Sequence, residues 1–187
     1  MDRRTAIKRT SLIMGATLAS GTLAGLMQGC RAEKQLNWQP QWLSSQEAFA
    51  VAALTDTILP KTSTPSASEV GVPEYIDEIV GKFWYQEDQQ SFRDGITAIN
   101  DRANEQFGSP YADLSEEKQI ALMDGLVEEA RNHSGEGRPF FLQLKELTYS
   151  GYFSSEVIGE QVLAYDPVPG EYIGDLPIDE VDNAWSL

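Results

Sequence analysis

His133 is the one histidine of the chain and Cys30 its one cysteine. Those two counts restrict the chemistry. A Ser-His-Asp or Cys-His relay needs a histidine oriented by a carboxylate beside a nucleophile, whereas His133 stands in the Gly/Ser/Asn-rich stretch 132–137. Zinc, haem and iron–sulfur sites need more Cys and His ligands than these. A nicotinamide or flavin would find no Gly-x-Gly-x-x-Gly after a strand. Asp175, Asp179 and Asp182 lack the alternating ligand spacing and the turn glycine of a calcium loop. Glu116-Glu117 and Glu128-Glu129 are adjacent pairs on helical stretches, so their carboxylates point apart instead of facing one cleft. The inventory therefore assigns no catalytic, metal or cofactor-binding residue to this chain.

Cys30 has a different use. It closes Met27-Gln28-Gly29-Cys30, at the end of an apolar run from Leu12 to Met27. That arrangement resembles a lipoprotein cleavage site with Cys30 acylated; the alternative is cleavage nearby by the ordinary signal peptidase. Gly15, Gly21 and Gly25, with Thr17, Ser20 and Thr22, lower the hydrophobicity of the run and make it a poor permanent span. Ahead of it stands Arg3-Arg4-Thr5-Ala6-Ile7-Lys8. A charged start, an apolar centre and a small-residue exit read as an export signal rather than as part of the fold. Arg3, Arg4 and Lys8 make it resemble a twin-arginine signal, a route that carries folded proteins. An ordinary secretory signal that happens to hold two arginines is the alternative. Residues 1–29 are thus read as the signal and 30–43 as a tether, and the expected location is extracytoplasmic, with a lipid anchor in the membrane.

The 187 residues carry a formal charge of −15. Arg3, Arg4, Lys8 and Arg9 outnumber Asp2 in the signal, so the remainder is more acidic still. Such a surface repels phosphate backbones and anionic headgroups, which excludes nucleic acid as a natural partner.

The elements that would position any site are helical. Ser44-Ser45-Gln46-Glu47 is a capping-box pattern, and behind it Val51, Leu54 and Ile58 share a side while Ala50, Ala52 and Ala53 permit close packing. Pro60 ends that helix, and 61–72 reads as a loop too polar to be buried along its length. Pro73 sits at the start of a second helix, where its missing N–H costs nothing; its stripe is Ile76, Ile79, Val80, Phe83 and Trp84. A third is expected from about Gln90, with Phe92, Ile96, Ile99, Ala103 and Phe107 on one face. Ser115 opens a fourth with Ile120, Met123, Leu126, Val127 and Ala130 as core face, and Pro139 a fifth with Phe140, Phe141, Leu144, Leu147 and Thr148. No segment alternates over strand length. The expectation is an all-α bundle of about five helices over 44–160.

Residues 161–187 differ. No Lys or Arg follows Lys145, and Pro167, Pro169, Gly170, Gly174 and Pro177 prevent a long helix. Tyr165, Tyr172, Ile173, Leu176, Ile178, Val181 and Trp185 are nevertheless too apolar for a solvated tail. An extended acidic segment of this kind lies against its own globule or against another subunit; the sequence leaves both open.

Leu54-Thr55-Asp56-Thr57-Ile58-Leu59-Pro60, then Thr64-Pro65-Ser66-Ala67, then Gly71-Val72-Pro73-Glu74-Tyr75-Ile76-Asp77 resembles the opening of the gluconate 2-dehydrogenase subunit 3 family. Leu114-Ser115 through Gln119, Phe140-Phe141 through Lys145, Gly151-Tyr152-Phe153-Ser154-Ser155 to Gly159, Tyr165, Pro169-Gly170 and Tyr172 continue the order. Ser66 departs from the Pro-Gly-Ala of that family's first loop. The resemblance implies a non-catalytic small subunit. Its companion would be a large FAD-dependent flavoprotein of the glucose-methanol-choline type that oxidises a sugar or polyol and passes electrons to a cytochrome c or another membrane acceptor. It also implies that the small subunit escorts the folded flavoprotein through the export channel. Partner contact is expected at Gly151, Tyr152, Phe153, Tyr165, Pro169, Gly170, Tyr172 and Trp185, where bendable backbone meets amphipathic rings; the same aromatics could instead fill the domain's own core. Two other functions compete: a stand-alone extracytoplasmic lipoprotein that binds or scaffolds, and a carboxylate-based hydrolase, which would need two acids facing one cleft.

Overall fold

Both halves of the capping box form at Ser44. Its Oγ accepts from the Glu47 N–H at 3.3 Å, and Glu47 Oε2 accepts from the Ser44 N–H at 2.7 Å. Helix α1 (Ser45–Ile58) follows. The computed structural model describes residues 36–135, 137–165, 170, 174–175, 177–180 and 183–186, so Arg3, Arg4, Lys8 and Cys30 lie outside the described residues.

Within the unit Trp38–Leu187, α1 is the central element. Ala48, Ala50, Val51, Leu54 and Thr55 are buried on it, and the small Ala48 and Ala50 let neighbouring helices approach closely. Around it stand α2 (Val72–Phe83), α3 (Gln86–Phe107), α4 (Glu116–Arg131) and α5 (Phe140–Phe153), each in contact with α1; the short α6 (Glu156–Gln161) packs on α5. The architecture is all-α, with 3-10 turns at Ser68–Val70, Tyr111–Asp113 and Ile178–Glu180. A two-residue parallel ladder pairs Ala164 with Trp185 and Tyr165 with Ser186, bringing the acidic segment back to the end of α6.

Four of the five residues in the α3 stripe are buried as its period predicts, with Phe92, Ile96, Ile99 and Ala103 at 1% exposure or less, while Phe107 at the helix end is half-buried. Elsewhere the structure corrects the pattern. α3 begins at Gln86, not near Gln90; its polar first turn carries no apolar period. Gln89 there has another task, its amide donating to the carbonyls of Val80, Gly81 and Trp84 and so satisfying the end of α2. Phe83 is 71% exposed instead of buried. The chain turns extended at Trp84, whose ring packs edge-on against Phe92 at 5.7 Å, and this leaves Phe83 outside the corner. On α4 the buried residues are Leu122 and Met123, while Ile120 is 46% exposed. The loop after α1 is not uniformly solvated, since Ser66 and Ala67 are buried.

Part of the expected tether also packs on the domain. Buried Asp77 accepts from the backbone N–H groups of Gln41, Trp42 and Leu43 at 2.7, 3.0 and 2.7 Å. Trp42 lies against Gly81, where a Cβ would come 2.6 Å from its own, and the Arg93 guanidinium sits 4.2 Å above its ring and donates to its carbonyl.

Candidate functional site

The sequence blocks that stand far apart along the chain meet in space. Asp56 on α1 accepts from the Ser68 N–H at 2.8 Å and the Ser68 hydroxyl at 2.6 Å. Gly71 then turns the chain into α2 with φ +81, a conformation a side chain would strain. No described residue other than glycine has a positive φ, so Ser66 fits its turn without one. Tyr152 of α5 is buried and its hydroxyl donates to the Pro65 carbonyl at 2.8 Å. Gly151 lies under Tyr75, where a Cβ would stand 2.7 Å from the ring. Buried Tyr111 lies 2.9 Å from the Thr57 hydroxyl and donates to the Gln119 carbonyl at 3.1 Å; burial pushes its phenol up to about 12.

Gly151 and Tyr152, expected at a partner contact, therefore serve the domain's own interior. Phe153 is 51% exposed and lies edge-on to Tyr149 and Tyr152. Tyr165 and Trp185 are held in the backbone ladder; Gly170 is exposed, and Pro169 and Tyr172 lie outside the described residues.

The titratable groups form no reacting pair among the described residues. His133 is exposed, with Nε2 3.2 Å from the Gly137 carbonyl oxygen. Glu128 pairs with Arg131 and Glu129 with Arg102, so the two neighbours point apart as their spacing requires. No group of three His, Cys, Asp or Glu side chains is placed to hold a metal among the described residues. Among the described residues, Glu74 is the one perturbed acid with a partly buried environment: desolvation raises its carboxyl above the usual range, and Oε2 has no hydrogen-bond partner. It borders a cleft of about 380 Å³ with Trp38, Trp42 and Asp77. Glu69 moves the other way, lowered by its bond to Lys61 and by the Ser66 N–H.

A groove of about 490 Å³ runs between α4, which lends Met123, Val127, Ala130 and Arg131, and α5, which lends Phe141, Leu142, Lys145 and Tyr149; α1 adds Ile58. Two cations border it. The arrangement suits burial of an apolar segment, with charge at the margin, and offers no acid–base chemistry. Sequence reasoning missed it because Met123, Val127, Ala130 and Phe141 fit a core stripe equally well. The surplus of apolar residues on α5, more than one face can hold, was the available signal.

Fold and surface together define a small all-α domain with an open groove between two helices. Compared with protein-family models, residues 45–170 match the family described as gluconate 2-dehydrogenase subunit 3, and the chain belongs to that family. No match was found among curated proteins or among solved structures. Membership makes the chain a subunit of a dehydrogenase complex, associated with other subunits.

Proposed function

We propose that this chain is the non-catalytic small subunit of an exported sugar or polyol dehydrogenase, whose FAD sits in a separate large subunit of the glucose-methanol-choline type. It supports folding of that flavoprotein and escorts it across the membrane by its own twin-arginine signal, and a cytochrome c subunit is a natural electron acceptor in the same assembly. Arg3, Arg4 and Lys8 support the export step, and Cys30, the acylated first residue of the mature chain, supplies the membrane anchor. Phe153 and the acidic segment 161–187 contribute to the partner contact. The observation that carries the reading is the family match across 45–170, joined to a residue inventory with no redox group of its own.

The test is co-purification from the native membrane followed by a flavin absorbance scan of the captured subunits. A flavoprotein dehydrogenase should come down with this chain, and Cys30→Ser should release the chain from the membrane fraction. Arg3→Lys with Arg4→Lys keeps the charge but removes the guanidinium pair, and should trap both subunits in the cytoplasm. Capture of the chain alone, free of any flavoprotein, would leave the stand-alone lipoprotein reading in its place.

A further inference from the structure

One face of α4 and α5 is left partly uncovered. On α5, Leu144, Leu147, Thr148, Gly151 and Tyr152 are buried against the domain. Leu142, Tyr149 and Phe153 follow one another at i, i+7 and i+11 on another side and are 37, 39 and 51% exposed. Those three fall on one row about 16 Å long. α5 packs against α1, α2, α3 and α4, yet this second apolar row stays half-exposed. α4 repeats the point. Ile120, Val127 and Arg131 form a row on its surface, and the apolar stripe to which Ile120 and Val127 belong is left half open.

We infer that the groove between α4 and α5, continued over Tyr149 and Phe153, is the docking face for an apolar, carboxylate-bearing segment of the dehydrogenase subunit. This rests on the accessory-subunit reading above. Charge argues for that occupant. In a chain of net charge −15, the groove is bordered by Lys145 and by Arg131, the latter paired with Glu128. Lys145 lies 5.4 Å from the Tyr149 ring centroid and meets no carboxylate among the described residues, so it is available to an incoming one. Two copies of this chain paired about a two-fold axis through the groove would set these cations against their own equivalents, which disfavours self-association by this face. Apolar rings at the centre with cations at the rim are the arrangement of a subunit contact.

The experiment is capture of the flavoprotein subunit by the tagged full chain, co-expressed with its complex partners. Leu142→Ser with Tyr149→Ala changes only half-exposed side chains and should weaken retention about tenfold or more, with the helical spectrum and melting temperature of the chain unchanged. Lys145→Glu should weaken it further at low salt than at high salt. A photo-crosslinking p-benzoylphenylalanine at Tyr149, in the otherwise native chain, gives an answer that does not depend on how the double variant folds. It should join this chain to the dehydrogenase subunit. Crosslinks to a second copy or to this chain's own acidic segment, or none at all, would overturn the assignment, as would retention within about twofold of the unaltered chain. If the unaltered chain captures no flavoprotein, the accessory-subunit reading itself has failed. If unaltered chain and variant capture it equally, only the groove has.

Discussion

Asp77→Ala tests how the segment before α1 is fastened to the domain. The Asp77 carboxylate is 3% exposed and accepts three backbone N–H bonds, from Gln41, Trp42 and Leu43. The Leu43 donor is buried, and stranding it without its charged acceptor costs about 2 kcal/mol. The Gln41 and Trp42 donors lie closer to solvent, where water replaces the lost acceptor at about 0.5 kcal/mol each. The expected loss is therefore about 3 kcal/mol. With a urea dependence of about 2 kcal/mol/M for a domain of this size, the unfolding midpoint should fall by about 1.5 M. Asp77→Asn keeps the oxygen that serves Trp42 and Leu43 but gives up the charge, and should lose roughly half as much. The assay is urea unfolding of the mature chain, followed in parallel by far-UV circular dichroism and by tryptophan fluorescence. Trp42, freed from Gly81 and Arg93, should change its emission before the helices melt. A midpoint shift below about 0.3 M for the alanine variant, or equal losses for alanine and asparagine, would refute the reasoning.

Gly95→Ala should cost stability although it improves helix propensity. The new Cβ would fall under 3.0 Å from Phe140 Cβ, at the root of that side chain; overpacking of about 2 kcal/mol less about 1 kcal/mol of propensity leaves a drop of about 3 °C in melting temperature. Glu74 gives a pH dependence. Its carboxyl is raised by desolvation above the ordinary glutamate range, so the folded state holds its proton longer than the unfolded one and stability is lost as pH rises through that window. Glu74→Gln should remove this slope, so that variant minus unaltered stability, measured by urea unfolding from acid to neutral pH, grows with pH; parallel curves would exclude it. Truncation after Tyr165 removes the partner strand of Ala164–Tyr165 but no part of α1 to α6, so the melting temperature should change little while retention of the flavoprotein falls. An unfolded truncated chain would place the acidic segment in the domain's own core.

Helix existence and the capping box were legible because they are local, whereas Ser115, read as a cap from its type, stands at the N-terminus of α4 without a side-chain cap bond. Ser44 and Glu47 are three residues apart and needed only each other; Phe92, Ile96, Ile99 and Ala103 repeat at a spacing that forces one face. The short α6 escaped because Ser154, Ser155 and Gly159 read as turn residues in a stretch with too few apolar repeats to show a period. The family blocks were legible too, but not their purpose. Tyr152 and Pro65 are separated by 87 residues, and nothing along the chain says that one ring will meet the other's carbonyl.

What the sequence by itself determined is the class: helical, acidic, without a residue set for redox chemistry, and a member of the family its motifs resemble. What only the tertiary structure decided is which apolar stripes are covered. Ile99 and Ile120 occupy comparable places in two amphipathic patterns, yet one is 1% and the other 46% exposed. Periodicity selects the side of a helix that avoids water; it does not say whether a neighbour in the same chain reaches that side. Asp77 shows the converse, a carboxylate buried because three N–H groups more than 30 residues away converge on it. Both outcomes depend on contacts between distant segments, and those are set by how the helices pack around α1, not by the spacing along any one of them.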